Sequence, residues 1–446
     1  MDGKDIFAIF VDMRRLFAIY ILLLVCCSGF AQDFEADLEG NLDRIAGCFH
    51  SYEAAPGPQT PAPAGYKPFY VSHYGRHGSR RQIGGGGTEA YKYMQKADEA
   101  GLLTDEGKAL YRDLEVLYNA HQGMDGQLTI RGGKEHQGIA HRMYRRFKPA
   151  FKGGKAVHCQ SSDIQRCIMS MANFSSALKG DAPKLEFDFI TGKKYFELLC
   201  HAYYGMDQNK ERRGFLEDSL AHALIDPSRM MKAFFVDSPK VAEVVEDPVR
   251  FARYCFLILA DCQDLYYEVD GLDLYKYFTK DELFAMAKYS NEQLYGSMGN
   301  CADWGDNIIW AQKWLVEDMV NRADKAIRDG NVAADLRFGH DSAVMPLAGL
   351  LGLDGVGRRF KMGEAWKNGH YLWEVVPMGT NFQMAFYKNR KGEILVKMLY
   401  NEVERTVAEC FIPGVEIPRP VSGPYYRWQD LRAYLVAISR DKTFGK

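Results

Sequence analysis

Several common signatures are missing from this chain of 446 residues, and each omission removes a class of function. Its 56 basic side chains are matched by 58 acidic ones, so there is no net positive field to gather nucleic acid. No CxxC or HExxH pattern occurs, and His136 and His141 stand five apart, off the i, i+4 face that a helical metal pair uses. No metal and no other cofactor is therefore expected. The glycines Gly84, Gly85, Gly86 and Gly87 lack a following Lys-Ser/Thr, which favours a mobile loop over a nucleotide cradle.

A membrane-spanning run is missing too. The apolar stretch at residues 16–25 has ten residues, against the roughly 20 that a spanning helix needs. Met13-Arg14-Arg15 precede it and Gly29-Phe30-Ala31 follow it, the order of a basic n-region, an apolar h-region and a small-x-small cleavage site. Residues 1–31 are thus expected to be a signal segment cleaved after Ala31, leaving Gln32 first. Met13 is a better start than Met1, because Asp2, Asp5 and Asp12 put acids where the n-region should be basic. The competing reading is a lipid anchor on Cys27 of Leu24-Val25-Cys26-Cys27, which is less well framed. A periplasmic or secreted location follows, with membrane contact only through the signal segment or such an anchor. Eight cysteines remain after cleavage, and an oxidising compartment permits some to pair. Cys255 and Cys262, two turns or roughly 10 Å apart along one expected helix, are too distant to bond to each other.

What is present is concentrated in three short segments. Phe69-Tyr70-Val71 leads into Arg76-His77-Gly78-Ser79-Arg80, an imidazole between two guanidiniums. An imidazole can attack phosphorus, and guanidiniums grip phosphoryl oxygens in a planar, bidentate way that lysines cannot. Gly78 is expected to leave room for a close approach of substrate. In Val157-His158-Cys159-Gln160-Ser161-Ser162-Asp163-Ile164-Gln165-Arg166 a strand gives way to a helix with Ile168, Met171 and Phe174 on its apolar face. Asp163 is the expected cap, and Arg166 falls at a helix start that itself favours anions. In Leu336-Arg337-Phe338-Gly339-His340-Asp341-Ser342, a His-Asp pair ends another strand before a helix expected from about Ala343, with Pro346 in its first turn. Such a pair suits an anion contact and a proton donor at the carboxyl end of a sheet.

Together these segments resemble the histidine acid phosphatase family, the second branch of the histidine phosphatase superfamily. Gly126-Gln127-Leu128-Thr129-Ile130-Arg131-Gly132-Gly133 is similar to the family's G-x-L-T-x-x-G element, and Val396-Lys397-Met398-Leu399-Tyr400-Asn401-Glu402 to its V-K-x-x-x-N-E strand end. The resemblance implies a phosphomonoesterase in which His77 becomes a phosphohistidine and Asp341 protonates the leaving alcohol. Arg76, Arg80, Arg166 and His340 would bind the phosphoryl group of a small phosphate monoester. One departure stands out: Arg81-Gln82 and the four glycines occupy the place where the family has a small residue and Pro, and phytate-degrading relatives a Lys. Inositol phosphates such as phytate are therefore one reading of the substrate and a narrow sugar-phosphate phosphatase another. Outside catalysis, a non-catalytic phosphate-ligand binding protein of the same fold remains open.

The implied fold is α/β, a mixed central sheet flanked by helices with an inserted α-helical cap. Residues 32–190 and 326–446 would form the phosphatase core and 191–325 the cap, where helical spacing runs through 251–267 and 307–327 with few strand signals. Residues 89–120 and 131–150 also read as helices. Strands are expected at 371–377, 382–387 and 394–398, the last two as a hairpin across Asn389-Arg390-Lys391-Gly392. His73, Tyr74 and a buried His158 are expected to be structural, and Trp310 and Trp314 to pack on one helix. Glu402 is expected to orient a phosphate-site arginine.

Overall fold

The apolar run beginning at Phe69 lies in β1 (Lys67–Arg76), the strand at which a mixed sheet changes character. The computed structural model describes residues 34–440 other than 55, 56, 84 and 201–209. The expected signal segment, with Cys26 and Cys27, and Gly84 of the glycine run lie outside the described residues.

On one side of β1 the strands are parallel: β4 (Val332–Gly339), then β2 (Ala156–Ser161), then β3 (Glu186–Thr191) at the edge. On the other side β1 meets β5 (Asn381–Lys388) antiparallel, followed by β6 (Ile394–Tyr400), which pairs with both β7 (Val403–Arg405) and β8 (Tyr425–Arg427). The hairpin across residues 389–392 is the β5–β6 turn, with Gly392 at φ 85. Every residue of β4 is buried, as a central parallel strand requires. Its two charged residues are matched inside the fold: Arg337 pairs with Asp318 at 2.7 Å and Asp335 with Arg322 at 2.9 Å.

Helices cover both faces of the sheet. Ile130–Phe147 and Gln165–Asp181 pack through Ile139, Met143, Phe147, Phe174 and Leu178 onto Val71, Val157 and Phe338. On the opposite face, Lys313–Asp329, Asp341–Leu351 and Trp428–Arg440 bury Val316, Met319, Leu347 and Leu431 against Tyr70, Tyr74 and Phe386.

Between the end of β3 and the start of β4 the described chain contains helices and no strand. This segment packs around Phe234, Phe251, Ile258, Leu259 and Leu283. Helices Glu89–Glu99 and Asp105–His121 contribute Met94, Leu110 and Leu114 to the same cluster, and Phe34 and Leu38 join it from the N-terminal side. Tyr371 and Trp373 complete it, so as a packing unit the helical layer draws on four stretches of chain.

Local expectations fail where burial outweighs pattern. Residues 371–377 are not a strand: Leu372–Val375 is a helical turn that seats Trp373, whose indole N–H donates to Asp37 at 2.8 Å. An apolar run alone does not separate strand from turn. The single helix expected over 307–327 is two, Asp306–Trp310 and Lys313–Asp329, so Trp310 and Trp314 lie on different helices with Lys313 over both rings. His158 is half-buried and pairs with Asp188 at 2.6 Å. All eight cysteines from Cys48 to Cys410 are free, and Cys255 and Cys262 share helix Pro248–Asp264.

Candidate active site

Register decides where the three segments meet. Arg76 at the end of β1 lies beside Gly339 at the end of β4, and Ser161 at the end of β2 lies beside Phe338. His77, His340 and Arg166 therefore leave the carboxyl ends of three adjacent parallel strands, the place where ligands gather in such sheets. His77 and His340 meet edge to face with ring centres 5.6 Å apart. Arg166, second residue of its helix, places a guanidinium nitrogen 3.4 Å from His340 Nδ1. Arg76 pairs with Asp341 at 2.8 Å. Arg80 is buried close enough to Arg76 and Arg166 for both to depress its pKa, after burial itself. All six residues expected from the sequence are thus gathered in one place.

Each side chain has a local reason for its pose. Arg76 is fully buried, and its guanidinium donates to the carbonyls of Cys48 and Val376. Among the described residues the Nε atoms of Arg76, Arg80 and Arg166 have no partner, an arrangement that suits an oxyanion. His77 Nδ1 lies 3.0 Å from the Gly78 carbonyl, which can only accept. The proton therefore sits on Nδ1 and the Nε2 lone pair is available. Burial, then Arg166, Arg76, His340 and Arg80, hold His77 well below the usual histidine range, which keeps its imidazole neutral.

His340 is held on all sides. Its backbone N–H donates to the Tyr74 hydroxyl at 2.9 Å, Nε2 faces the Ser162 hydroxyl at 3.0 Å, and Phe196 packs at 5.7 Å. Burial and then Arg166 lower its pKa to about 3. For Asp341 burial pushes upward, but Arg76, His340, Arg80 and the Ser342 N–H outweigh it and the carboxyl stays below its ordinary value. Its helix begins at Asp341, two residues before the expected start, with His340 at the N-cap position.

Other details differ from the sequence reading. Gly78 does not open space for substrate. A Cβ there would lie 2.5 Å from the Gly132 carbonyl oxygen, so the close approach is between the loop that carries His77 and the first turn of helix Ile130–Phe147. Asp163 caps nothing; extended Ile164 is the N-cap residue and no side chain bonds to that helix start. Arg81 is buried and bound to Glu268 and the Ala120 carbonyl, which withdraws it from any anion cluster. Glu402 bonds Arg142, Arg146 and Tyr52, none of them among the expected phosphate contacts. Ser162 and Tyr74, which hold His340, were visible in the sequence only as polar residues at strand ends.

Among the described residues no group of three or more His, Cys, Asp or Glu could hold a metal ion, and no helix is long and apolar enough to cross a membrane. No family model and no curated protein matches the sequence. Solved structures do. The multiple inositol polyphosphate phosphatase of Bifidobacterium longum in complex with inositol hexasulfate aligns with a TM-score of 0.74 at 19% identity, over 90% of this chain and 99% of that one. This chain has the histidine acid phosphatase fold. The phosphate complex of the same phosphatase gives a TM-score of 0.72 at 19% identity, again over 90% and 99% of the two chains. The phytase from D. castellii gives 0.65 at 16% identity over 90% and 86%. The fold class expected from the sequence, a mixed sheet flanked by helices, is the one these structures share.

Proposed function

We propose that this protein is a histidine acid phosphatase, a phosphomonoesterase that works through a covalent phosphohistidine on His77, with inositol phosphates as its substrate class. The observation that carries the reading is the convergence of a neutral His77 with Arg76, Arg80, Arg166, His340 and Asp341 at the ends of three parallel strands. The inositol phosphate part rests on the names of the structures with the same fold.

The chemistry follows from the geometry. Phosphoryl oxygens on the three guanidiniums bring phosphorus to His77 Nε2; the P–N bond forms as the P–O bond to the alcohol breaks. Charge on the equatorial oxygens is met by preorganised donors. Asp341 gives its proton to the departing oxygen. In the free protein that carboxyl is held ionised by Arg76, His340 and Arg80 against the upward push of burial. A phosphoryl dianion would neutralise that field and add negative charge nearby, so Asp341 takes up its proton as substrate binds. Water then attacks the phosphohistidine, Asp341 removes the water's proton, and His77 leaves with its lone pair as orthophosphate forms.

The test is turnover of phytate, glucose 1-phosphate and p-nitrophenyl phosphate, with and without chelator, followed by acid quench with labelled substrate. Label on His77 and activity that survives EDTA are expected. Turnover confined to the sugar phosphate would favour the narrow phosphatase, and no turnover with retained phosphate binding would favour the non-catalytic reading. His77→Ala should abolish turnover and retain measurable orthophosphate binding. We further propose delivery to the periplasm or outside the cell by the segment 1–31, checked by sequencing the N-terminus for Gln32.

A further inference from the structure

Ser79, the last of the three residues between Arg76 and Arg80, is held at every polar atom by a neighbouring segment. Thr129 donates to the Ser79 carbonyl twice, from its backbone N–H and from its hydroxyl, each at 3.0 Å. Glu135, six residues on, accepts the Ser79 backbone N–H at 2.7 Å on one carboxylate oxygen and the Ser79 hydroxyl at 2.8 Å on the other. The second oxygen also accepts the Tyr52 N–H at 2.9 Å. A Cβ on Gly132 would lie 2.2 Å from the Ser79 carbonyl oxygen, and one on Gly78 would lie 2.9 Å from Glu135 Oε2. Glycine at both places lets the two backbones touch.

We infer that Glu135 is a positioning residue for the reaction: it holds the Gly78-Ser79 peptide so that His77 and Arg80, on either side, keep the geometry of attack. The inference rests on the phosphatase reading above. Three hydrogen bonds to an ionisable carboxylate are stronger than those a neutral acceptor would make. Glu135 reaches the loop from helix Ile130–Phe147, a rigid element, which is where support for a reacting side chain is most effective. It touches neither His77 nor the expected phosphate contacts, so it acts through the backbone segments it holds, at Ser79 and at Tyr52. Arg76 and His340 stand on other elements and are anchored by Cys48, Val376, Ser162 and Tyr74, while Arg166 stands on helix Gln165–Asp181 beside His340. The loop can therefore shift while much of the anion site stays in place.

The signature is a split between kcat and binding. A displacement of about 1 Å in a reacting group can cost on the order of 100-fold in rate. Glu135→Ala should lower kcat about 30-fold to 100-fold for phytate and p-nitrophenyl phosphate alike, with KM and the inhibition constant of orthophosphate within about threefold of wild type. Glu135→Gln keeps the shape but sets an amide N–H against a backbone donor, and should fall between the two. Ser79→Ala loses only the hydroxyl bond and should cost less than either. Combined with Glu135→Ala it should add less than its separate effect, because both act on one contact. If Glu135→Ala does not fold, Ser79→Ala and Glu135→Gln carry the test. Unchanged kcat in Glu135→Gln and Ser79→Ala would overturn the inference, as would a loss that falls wholly in KM. A wild-type protein that turns over no phosphate ester would instead overturn the phosphatase reading, before any variant is compared.

Discussion

Arg76 and Asp341 form an ion pair at 2.8 Å, with the arginine wholly buried and the carboxylate side chain 17% exposed. The residue assigned the proton donor's part is thus an anion in the free protein, paired with a guanidinium that the proposed mechanism also gives to phosphate. In that mechanism the pair couples the two tasks. Phosphate arriving on Arg76 would weaken the attraction that keeps Asp341 ionised and make it an acid when one is needed.

That coupling sets the first prediction. An alkoxide leaving from an inositol or sugar needs a proton badly, and p-nitrophenolate hardly at all. Asp341→Asn should slow an alkyl phosphate by about 100-fold or more and p-nitrophenyl phosphate far less. His77→Ala should remove both activities. Equal losses on the two esters in Asp341→Asn would withdraw the proton-donor role and leave Asp341 as the partner that orients Arg76.

The residues of the candidate site were legible in the sequence because they sit in contiguous motifs at strand ends. Arg76 to Arg80, Arg166 and His340-Asp341 each carry their own local signal. What holds them was not legible, because those contacts cross long stretches of sequence. Glu402 looked like a partner for the phosphate site and instead serves Arg142 and Arg146, some 260 residues earlier in the chain. Arg81 stands next to Arg80 in the sequence, yet it is bound to Glu268 of the helical layer. Gly78 is demanded by Gly132 rather than by substrate. The sheet was readable for the same reason as the motifs, since burial on both faces gives apolar runs. The helical turn at Leu372–Val375 was not, because Trp373 is placed by Asp37 and Phe34 at the far end of the chain.

Gly78 gives the second prediction. The obstacle to a side chain there is the Gly132 carbonyl oxygen at 2.5 Å and Gly132 Cα at 2.7 Å, both backbone atoms that cannot swing aside. Gly78→Ala should destabilise the protein by about 1–3 kcal/mol, the usual cost of overpacking. It should also cut turnover of every phosphate ester, because the loop carries His77. Thermal unfolding and kcat together check it; an active, equally stable Gly78→Ala protein would contradict the contact.

Glu402 separates stability from chemistry. It is fully buried with a φ of 65°, and its carboxylate is shared by Arg142, Arg146 and Tyr52. Glu402→Gln should lower stability by about 1–3 kcal/mol through hydrogen bonds left unmade. Since it reaches none of the six site residues, kcat measured well below the melting temperature should stay within about threefold of wild type. A large loss of kcat at unchanged stability would restore the role first expected for it.

The last prediction concerns acid. Burial lowers the pKa of five histidines: His73 and His77 well below 6.5, and His136, His340 and His370 to about 3. A histidine depressed in the native state binds fewer protons there than in the unfolded chain. Its contribution to stability is therefore whole above pH 6.5 and is lost as pH falls from 6.5 toward the native value, at up to about 1.4 kcal/mol per pH unit. Buried carboxyls oppose the trend: burial raises Glu135, Asp264, Glu292 and Glu374, which take protons in the native state before the unfolded one. The overall slope mixes both, so a single histidine must be isolated. His370 serves, because it lies outside the site, neither ring nitrogen has a partner, and its ring packs against Tyr295 and Phe360 at 5.0 and 5.8 Å. His370→Phe forfeits no hydrogen bond and keeps the ring contacts. Relative to wild type it should be near neutral at pH 7.5 and more stable by about 2 kcal/mol at pH 5, since 1.5 pH units below 6.5 carry the proton difference. Denaturant unfolding at the two values measures it. A difference between the two proteins that does not change with pH would mean that His370 has the same proton affinity folded and unfolded.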